Sequence, residues 1–336
     1  MTVVIVPGVL GSIAFTAVGA SAATTTLYVS PTGVSNATDA SCLTAAYSTI
    51  QEAVTAAAPG DTIEVCAGSY TGPVSVGIAN LTIMGTGATR PTVTVSGTSA
   101  VVFDVGSSAS TTTIEDLTIT GGSDGVYSNQ GASNLTVRNN TFTDVNLAGA
   151  AVNVYGLSST SPVSGVTISG NQMEGPGTAV ALFNTTSAEV NANTIEDSSS
   201  GNAGLYLGGS DSAITITGNH FANDDSAIYV DNYGGTLTAN TTTTVHSNYF
   251  NTTDDTTGGV GALFIASGAY TGTLDATGNW WGSPLGPTTS AGSRPGRAGA
   301  LVSANVNYTP WCRNANCVAQ GPEGRPQGPP AARPSA

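Results

Sequence analysis

One phrase recurs along the chain and limits what the chain can become. It is a short alternating strand, a corner ending in Asn, and one more large apolar residue. Ile214-Thr-Ile-Thr-Gly-Asn-His-Phe221 is the clearest copy. Others are Leu135-Thr-Val-Arg-Asn-Asn-Thr-Phe142, Val166-Thr-Ile-Ser-Gly-Asn-Gln-Met173, Glu189-Val-Asn-Ala-Asn-Thr-Ile195, Thr244-Val-His-Ser-Asn-Tyr-Phe250 and Leu274-Asp-Ala-Thr-Gly-Asn-Trp-Trp281. A degenerate copy, Leu117-Thr-Ile-Thr-Gly-Gly122, precedes them. The Asn stands at positions 140, 171, 193, 219, 248 and 279, so successive copies are 31, 22, 26, 29 and 31 residues apart.

A loose period in this range marks a repeat architecture, and the unit is too short for a four-stranded propeller blade. Its strands are brief and are separated by Gly, Asn, Ser and Thr. Each unit therefore reads as one coil of a parallel β-helix. A single coil cannot bury its inner face, so neighbours stack at ~4.8 Å and share one core. A second apolar phrase follows each Asn, as in Gly149-Ala-Ala-Val-Asn-Val-Tyr155, Thr178-Ala-Val-Ala-Leu-Phe183, Gly204-Leu-Tyr-Leu207, Ala227-Ile-Tyr-Val230 and Gly261-Ala-Leu-Phe-Ile265. These are expected to form the next sheet of the same coils. The Asn row itself reads as structural: Asn tolerates the left-handed backbone of a tight corner, and stacked Asn side chains can hydrogen-bond from coil to coil.

Composition agrees with a solenoid. Only 8% of the 336 residues are charged, against ~25% in ordinary globular domains. The chain has no Lys, seven Arg and twenty-one Asp plus Glu, a net charge of −14. That balance excludes nucleic acid or an anionic membrane as the partner of a basic face. It favours neutral or cationic partners, or acidic ones bridged by Ca²⁺. The four cysteines allow three pairings. Proximity favours Cys42 with Cys66 and Cys312 with Cys317, and two disulfides imply an oxidising compartment. Residues 1–22 read as a secretory signal: Val3 to Val18 is mainly apolar and Ala20-Ser21-Ala22 is a cleavage-like triplet. That segment is short for a bilayer crossing, so no membrane span is expected in the mature chain.

The segment 23–73 is expected to hold a first strand, a capping helix and the first coil. In Tyr47-Ser-Thr-Ile-Gln-Glu-Ala-Val-Thr-Ala-Ala-Ala-Pro-Gly-Asp61, Ser48 and Gln51 have capping-box spacing. Ile50, Ala53, Val54 and Ala57 form one apolar stripe at helical spacing. Thr62-Ile-Glu-Val65 follows as a strand and Gly68-Ser-Tyr70 as a turn. This passage resembles the opening of right-handed β-helix proteins of the pectin-lyase-like superfamily, in which a short helix covers the open end of the solenoid. Asn279-Trp-Trp-Gly-Ser-Pro-Leu-Gly-Pro287 with Val306-Asn-Tyr-Thr-Pro-Trp311 resembles the closing signature of secreted β-helix proteins. Its three Trp, the only ones in the chain, are expected to cap the last coil. Residues 74–281 are thus assigned to coils, 282–318 to a closing segment, and 319–336 to a disordered Pro/Gly-rich tail. The fold class is all-β: a right-handed parallel β-helix with a short N-terminal capping helix.

The resemblance is nearly silent on activity, because the fold hosts lyases, hydrolases, epimerases and non-enzymatic surface proteins alike. Alignment on the Asn brings acids towards one corner: Asp144, Glu174, Glu196, Asp197, Asp224, Asp225, Asp254 and Asp255. Paired carboxylates could hydrolyse a glycosidic bond, with Asp224, Asp225, Asp197 and Asp254 as candidate catalytic groups. Asn223-Asp-Asp225 faintly resembles the acidic motifs of polygalacturonases. Asp224, Asp225, Asp254 and Asp255 are equally a candidate Ca²⁺ set, and the bland alternative is a solvated turn. The Gly-His-Gly and Arg-Ile-Lys motifs of polygalacturonases are missing, as are the lysines of pectate lyases and the Asp-Pro-His-Asp motif of alginate epimerases.

Outward positions of the repeated strand read as two rows. One is Thr118, Thr136, Thr167, Glu189, Thr215, Thr244 and Asp275; the other is Thr120, Arg138, Ser169, Asn191, Thr217, His246 and Thr277. Arg138 and His246, with Tyr229, are the candidate substrate-binding residues. The inserted loops look short, which favours binding over catalysis in a walled cleft. The expected role is a secreted or cell-surface protein that engages a polysaccharide or cell-surface glycan through the solenoid flank. The rival is a polysaccharide hydrolase or lyase, and the third reading is a structural adhesin or spike-like module.

Overall fold

The computed structural model describes residues 24–35, 37–145, 149–175, 177–196, 198, 203–251, 261–289 and 299–317. The expected signal and tail lie outside them. The described chain winds into a right-handed parallel β-helix whose coils contribute to three sheets of 11, 8 and 10 strands. We call them the first, second and third sheets in the order in which a coil meets them around the Asn corner.

Strands of three residues suffice for such a sheet because every coil repeats the same inward residue. In the first sheet the inward column is Leu27, Ile63, Ile83, Ile114, Val137, Ile168, Val190, Ile216 and Val245, each the cross-coil partner of the next. In the second sheet one column runs from Tyr70 through Val93, Ile119, Phe142, Met173, Ile195 and Phe221 to Phe250. At its lower end Phe221, Phe250 and Trp281 stack face to face at 5.3 and 4.6 Å. The single large residue after each Asn is therefore the centre of a strand in its own sheet. The phrases beginning at Gly149, Thr178, Gly204, Ala227 and Gly261 supply the third sheet, not the second.

The degenerate copy at Leu117–Gly122 is displaced from the place expected of it. Thr113–Glu115, not Thr118–Thr120, lies in register with Thr136–Arg138. Thr118 and Thr120 belong to the second sheet, opposite Thr141 and Thr143. Leu117 occupies the corner position that Asn holds in later coils: its amide donates to Asn140 Oδ1 at 3.0 Å. The outward rows of the first sheet therefore pass through Thr113 and Glu115 in place of Thr118 and Thr120.

From Asn140 onward the corner is a hydrogen-bonded ladder. The backbone N–H of Asn140, Asn171, Asn193, Asn219 and Asn248 each donates to the side-chain oxygen of the next, ending on Asn279, at 2.8–3.0 Å. The left-handed residue is the one before each rung: Asn139, Gly170, Ala192, Gly218, Ser247 and Gly278, with φ between 54° and 69°. The rung Asn is thus selected for its side-chain amide, not for backbone tolerance.

A second polar corner joins the third sheet to the first. Asp211, 1% exposed, accepts from the amides of Thr185 at 2.8 Å and Gly209 at 3.2 Å. Its own amide donates to Asn240 Oδ1.

Both ends are covered. The helix Ile50–Ala56 buries Ile50, Ala53 and Val54, the stripe expected from the sequence. Its capping box is Thr49 with Glu52, one residue beyond the Ser48–Gln51 pair. Gln51 instead reaches the edge strand of the third sheet, where its side-chain oxygen accepts from the Ser75 amide at 2.7 Å. That contact blunts an exposed edge. Both disulfides join the cysteines paired by proximity, Cys42–Cys66 and Cys312–Cys317. At the other end Trp281 and Trp311 are buried, while Trp280 lies on the outer face of the second sheet. Of the three Trp expected to cap the last coil, two are inside.

Asn219→Ala strands the backbone amide of Asn193 and removes the side-chain donor to the Val190 carbonyl, while Asn248 Oδ1 keeps the Asn219 backbone amide. At about 1–3 kcal/mol per buried unsatisfied group, the urea midpoint should fall sharply, whereas Asn251→Ala, on the exposed side, should stay within about 0.5 kcal/mol. Equal shifts would remove the ladder from its structural role.

Burial pushes the Asp211 carboxyl up to about 7, against the two amides that favour its anion. The unfolded chain releases that proton near ~3.9. Between these values the native state holds more protons, so this group's contribution to stability is full below the lower value and is lost as pH rises through the upper one. Relative to Asp211→Asn, the wild-type protein should lose a few kcal/mol between about pH 4 and 7. A pH-independent difference in denaturation midpoint between the two would refute the assignment.

Candidate functional site

In the third sheet one outward position recurs in every coil between two inward residues, apolar except for Ser128. The upper coils fill that position with Asp104, Tyr127, Asn153 and Ala181, and the lower coils with Tyr206, Tyr229 and Phe264. Two residues on, Tyr155 and Phe183 are cross-coil partners. Phe183 crosses to the next coil because that coil carries Gly208, where a Cβ would collide with the ring. Five half-exposed rings therefore form one stripe along the solenoid axis. Centroids of Tyr155 and Phe183 are 5.1 Å apart, Phe183 and Tyr206 5.5 Å, Tyr206 and Tyr229 5.8 Å, and Tyr229 and Phe264 5.2 Å. Tyr233, 54% exposed, sets its ring edge-on to Phe183.

A hydrogen bond anchors the middle of this stripe. The Tyr206 hydroxyl donates to Asp231 Oδ2 at 2.9 Å. Burial and that carboxylate push the Tyr206 phenol far above its ordinary value, and burial with Asp231 raises Tyr229 in the same sense. Both are neutral donors at any physiological pH. Pyranose rings present just such requirements: an apolar C–H face for an aromatic ring and hydroxyls for nearby polar groups.

The candidate substrate-binding residues fall on two faces. Tyr229 stands in the stripe. Arg138 and His246 lie on the outer face of the first sheet, in one row but separated by Ser169, Asn191 and Thr217. Arg138 Nε pairs with Glu115 Oε2, and the hydrogen bond, then the charge of Glu115, raise the guanidinium pKa. His246 Nε2 sits 3.1 Å from Asp275 Oδ2 and 3.4 Å from Thr277 Oγ1. Partial burial pushes Asp275 up, but hydrogen bonds from His246 and Thr277 outweigh it and hold its carboxyl below the usual range.

The corner acids do not form a single row. Glu174 and Glu196 are cross-coil partners in the second sheet. Asp144 follows its strand by one residue, and Asp224 and Asp225 follow theirs by two and three, so the turns differ. Asp224 is 1% exposed and accepts from the Ser198 amide at 3.0 Å. Asp225 is half-buried beside it, and its amide donates to the Ser198 carbonyl. Asp197, Asp254 and Asp255 lie outside the described residues. Among the described residues no three metal-ligating side chains converge.

The rest of the stripe, Tyr155, Phe183, Tyr206 and Phe264, escapes a reading aligned on Asn. The signal is present in the other phrase: an aromatic between two aliphatics in Leu205-Tyr-Leu207, Ile228-Tyr-Val230 and Leu263-Phe-Ile265.

Residues 80–274 match the profile of the family described as right handed beta helix region. Among solved structures the chain is similar to pectate lyase Pel9A, at 12% identity and a TM-score of 0.49 over 87% of this chain and 80% of that one. It is similar to the alginate lyase of Paenibacillus sp. str. FPU-7, at 16% identity and a TM-score of 0.45 over 84% and 99%. It is also similar to the catalytic unit of a GH87 α-1,3-glucanase of Streptomyces thermodiastaticus strain HF3-3, at 17% identity and a TM-score of 0.41 over 87% and 70%. No curated protein sequence matches. The profile covers more than half of the chain and spans the coils that carry the Asn ladder and the stripe, so the chain belongs to the right-handed β-helix family, as its resemblance to the pectin-lyase-like superfamily implies.

Proposed function

We propose that this protein engages extracellular polysaccharide along the flank of its solenoid, as a secreted or cell-surface module. The observation that carries the reading is the stripe of five rings, Tyr155 to Phe264, spaced 5.1–5.8 Å over successive coils. An extended hexopyranose chain advances by about one strand spacing per sugar, so successive residues of one polymer would meet successive rings. The face is open and runs the length of several coils, which suits a polymer more than a small molecule. Two disulfides fit an oxidising compartment. No helix among the described residues is long and apolar enough to cross a membrane.

Retention on insoluble neutral polysaccharides tests the proposal. Tyr206→Ala, Tyr229→Ala and Phe264→Ala should each weaken binding by roughly three- to tenfold, the value of one aromatic contact, with thermal midpoints little changed. Undiminished retention in the triple variant would overturn the assignment of the stripe. Release of reducing ends or unsaturated products, abolished by Asp225→Asn, would make the protein an enzyme and overturn the binding role.

Gly208→Ala tests the geometry of the stripe without removing a ring. Its methyl must displace the Phe183 ring, so retention should fall about as far as in Phe183→Ala, with a stability loss of about 1–3 kcal/mol. Retention at the wild-type level would show that ring placement there is immaterial.

A further inference from the structure

The second sheet carries an outer row that the stripe does not use. It runs Thr141, Gln172, Thr194, His220 and Tyr249, one residue per coil. Trp280 follows through a bridge to Tyr249. The lower end of this row is aromatic. The His220 ring meets the Tyr249 ring edge-on at 4.6 Å, and Tyr249 lies 6.5 Å from Trp280. Trp281 already closes the interior stack, so the half-exposed Trp280 beside it adds nothing to the core.

Acidic groups continue the same face above these rings, Glu196 one coil above His220 and Glu174 one coil further. Glu174 and Glu196 are neighbours on adjacent coils, and with Thr141, Gln172, Met173 and Thr194 they line a shallow depression. Like charges directly opposite one another are unfavourable. His220 Nδ1 stands 3.9 Å from Glu196 Oε1; the ion pairs of the described residues bring no cation to Glu174. Arg90 reaches the top of the row but is taken up by Asp116, at 3.9 Å, and Thr141, at 2.7 Å. The chain has no Lys to supply another positive charge.

Half-exposed aromatic rings and, two to four coils above Tyr249 and Trp280 on the same face, two under-compensated carboxylates match an extended ligand that carries both sugar rings and positive charge. Trp and Tyr faces attract an ammonium group, and a carboxylate gives it a charge-assisted hydrogen bond. The hydroxyls of Thr141 and Thr194 and the amide of Gln172 extend the row with groups that exchange hydrogen bonds with sugar hydroxyls. An anionic polymer is repelled here, and a neutral one leaves the repulsion between Glu174 and Glu196 unrelieved. We propose that this end of the second sheet is a second glycan site, specific for a polymer of unsubstituted aminohexose, with Trp280 and Tyr249 against the sugar and Glu196 and Glu174 on its ammonium groups. The site lies on a different face from the aromatic stripe, so each can fail without the other.

Calorimetric titration of the full chain with a glucosamine oligomer, its N-acetylated counterpart and a Lys-rich peptide decides the matter, at mildly acidic pH where the sugar amine is protonated. The glucosamine oligomer should bind at least about tenfold tighter than the acetylated one, and Trp280→Ala and the double variant Glu174→Gln/Glu196→Gln should each weaken it by about tenfold. Tyr206→Ala/Tyr229→Ala should leave that binding intact, while Trp280→Ala should leave retention on neutral polymers intact. Equal affinity for the two oligomers overturns the proposal, as does indifference to the carboxylate variants. Tighter binding of the Lys-rich peptide than of the glucosamine oligomer also overturns it, in favour of a basic protein partner.

Discussion

Each rung of the Asn ladder satisfies a backbone amide that no strand can reach. At the corner between the first and second sheets the chain turns inside the stack, and its N–H groups leave the strand ladders. A buried amide without a partner costs about 1–3 kcal/mol, and one corner recurs in every coil. The Asn side chain answers with an oxygen for the amide of the coil above and an amide for a carbonyl of that same coil, as Asn193 does for Asn171 and Ile168. With that corner closed, strands of three residues are long enough, and all three outer faces are held at one spacing. The stripe on the third sheet and the row on the second inherit their regularity from this corner.

The fold was legible because its physical requirements repeat. Asn recurring at 140, 171, 193, 219, 248 and 279 points to stacked coils, and the helical spacing of Ile50, Ala53 and Val54 points to a cap. The second sheet was not legible, because a three-residue strand turns only one residue inward and carries no periodicity. The same weakness explains the displaced copy at Leu117: one Leu before Thr-Ile-Thr looks alike in either sheet, and only the partner of its amide distinguishes them. The candidate site was less legible than the fold. Tyr229 was found, but its neighbours along the stripe are neighbours only in the coiled chain. Aligning the coils on Asn also placed the acids by distance from the corner, and turns of unequal length then separated Glu196 from Asp224.

The outer faces of a solenoid have a different geometry from a cleft. Along each described outer face the side chains recur once per coil, so a ligand lying on that face would meet an ordered series of groups along the axis. The third sheet offers aromatic rings held by neutral Tyr hydroxyls and Asp231. The second offers carboxylates, an imidazole and Trp280. The first pairs Arg138 with Glu115 and His246 with Asp275 and leaves Glu189 exposed between them.

The ladder also has a direction. Every rung accepts from the coil before it and presents its own amide to the rung after it, from Leu117 at one end to Asn279 at the other. Two such coils can be separated and a third set between them without changing what either flank must satisfy, provided the new coil brings its own Asn. The protein can therefore grow or shrink in whole coils. Each added coil would extend both outer rows by one residue, so the length of the outer faces is set in discrete steps by duplication of a single unit, with no redesign of the core.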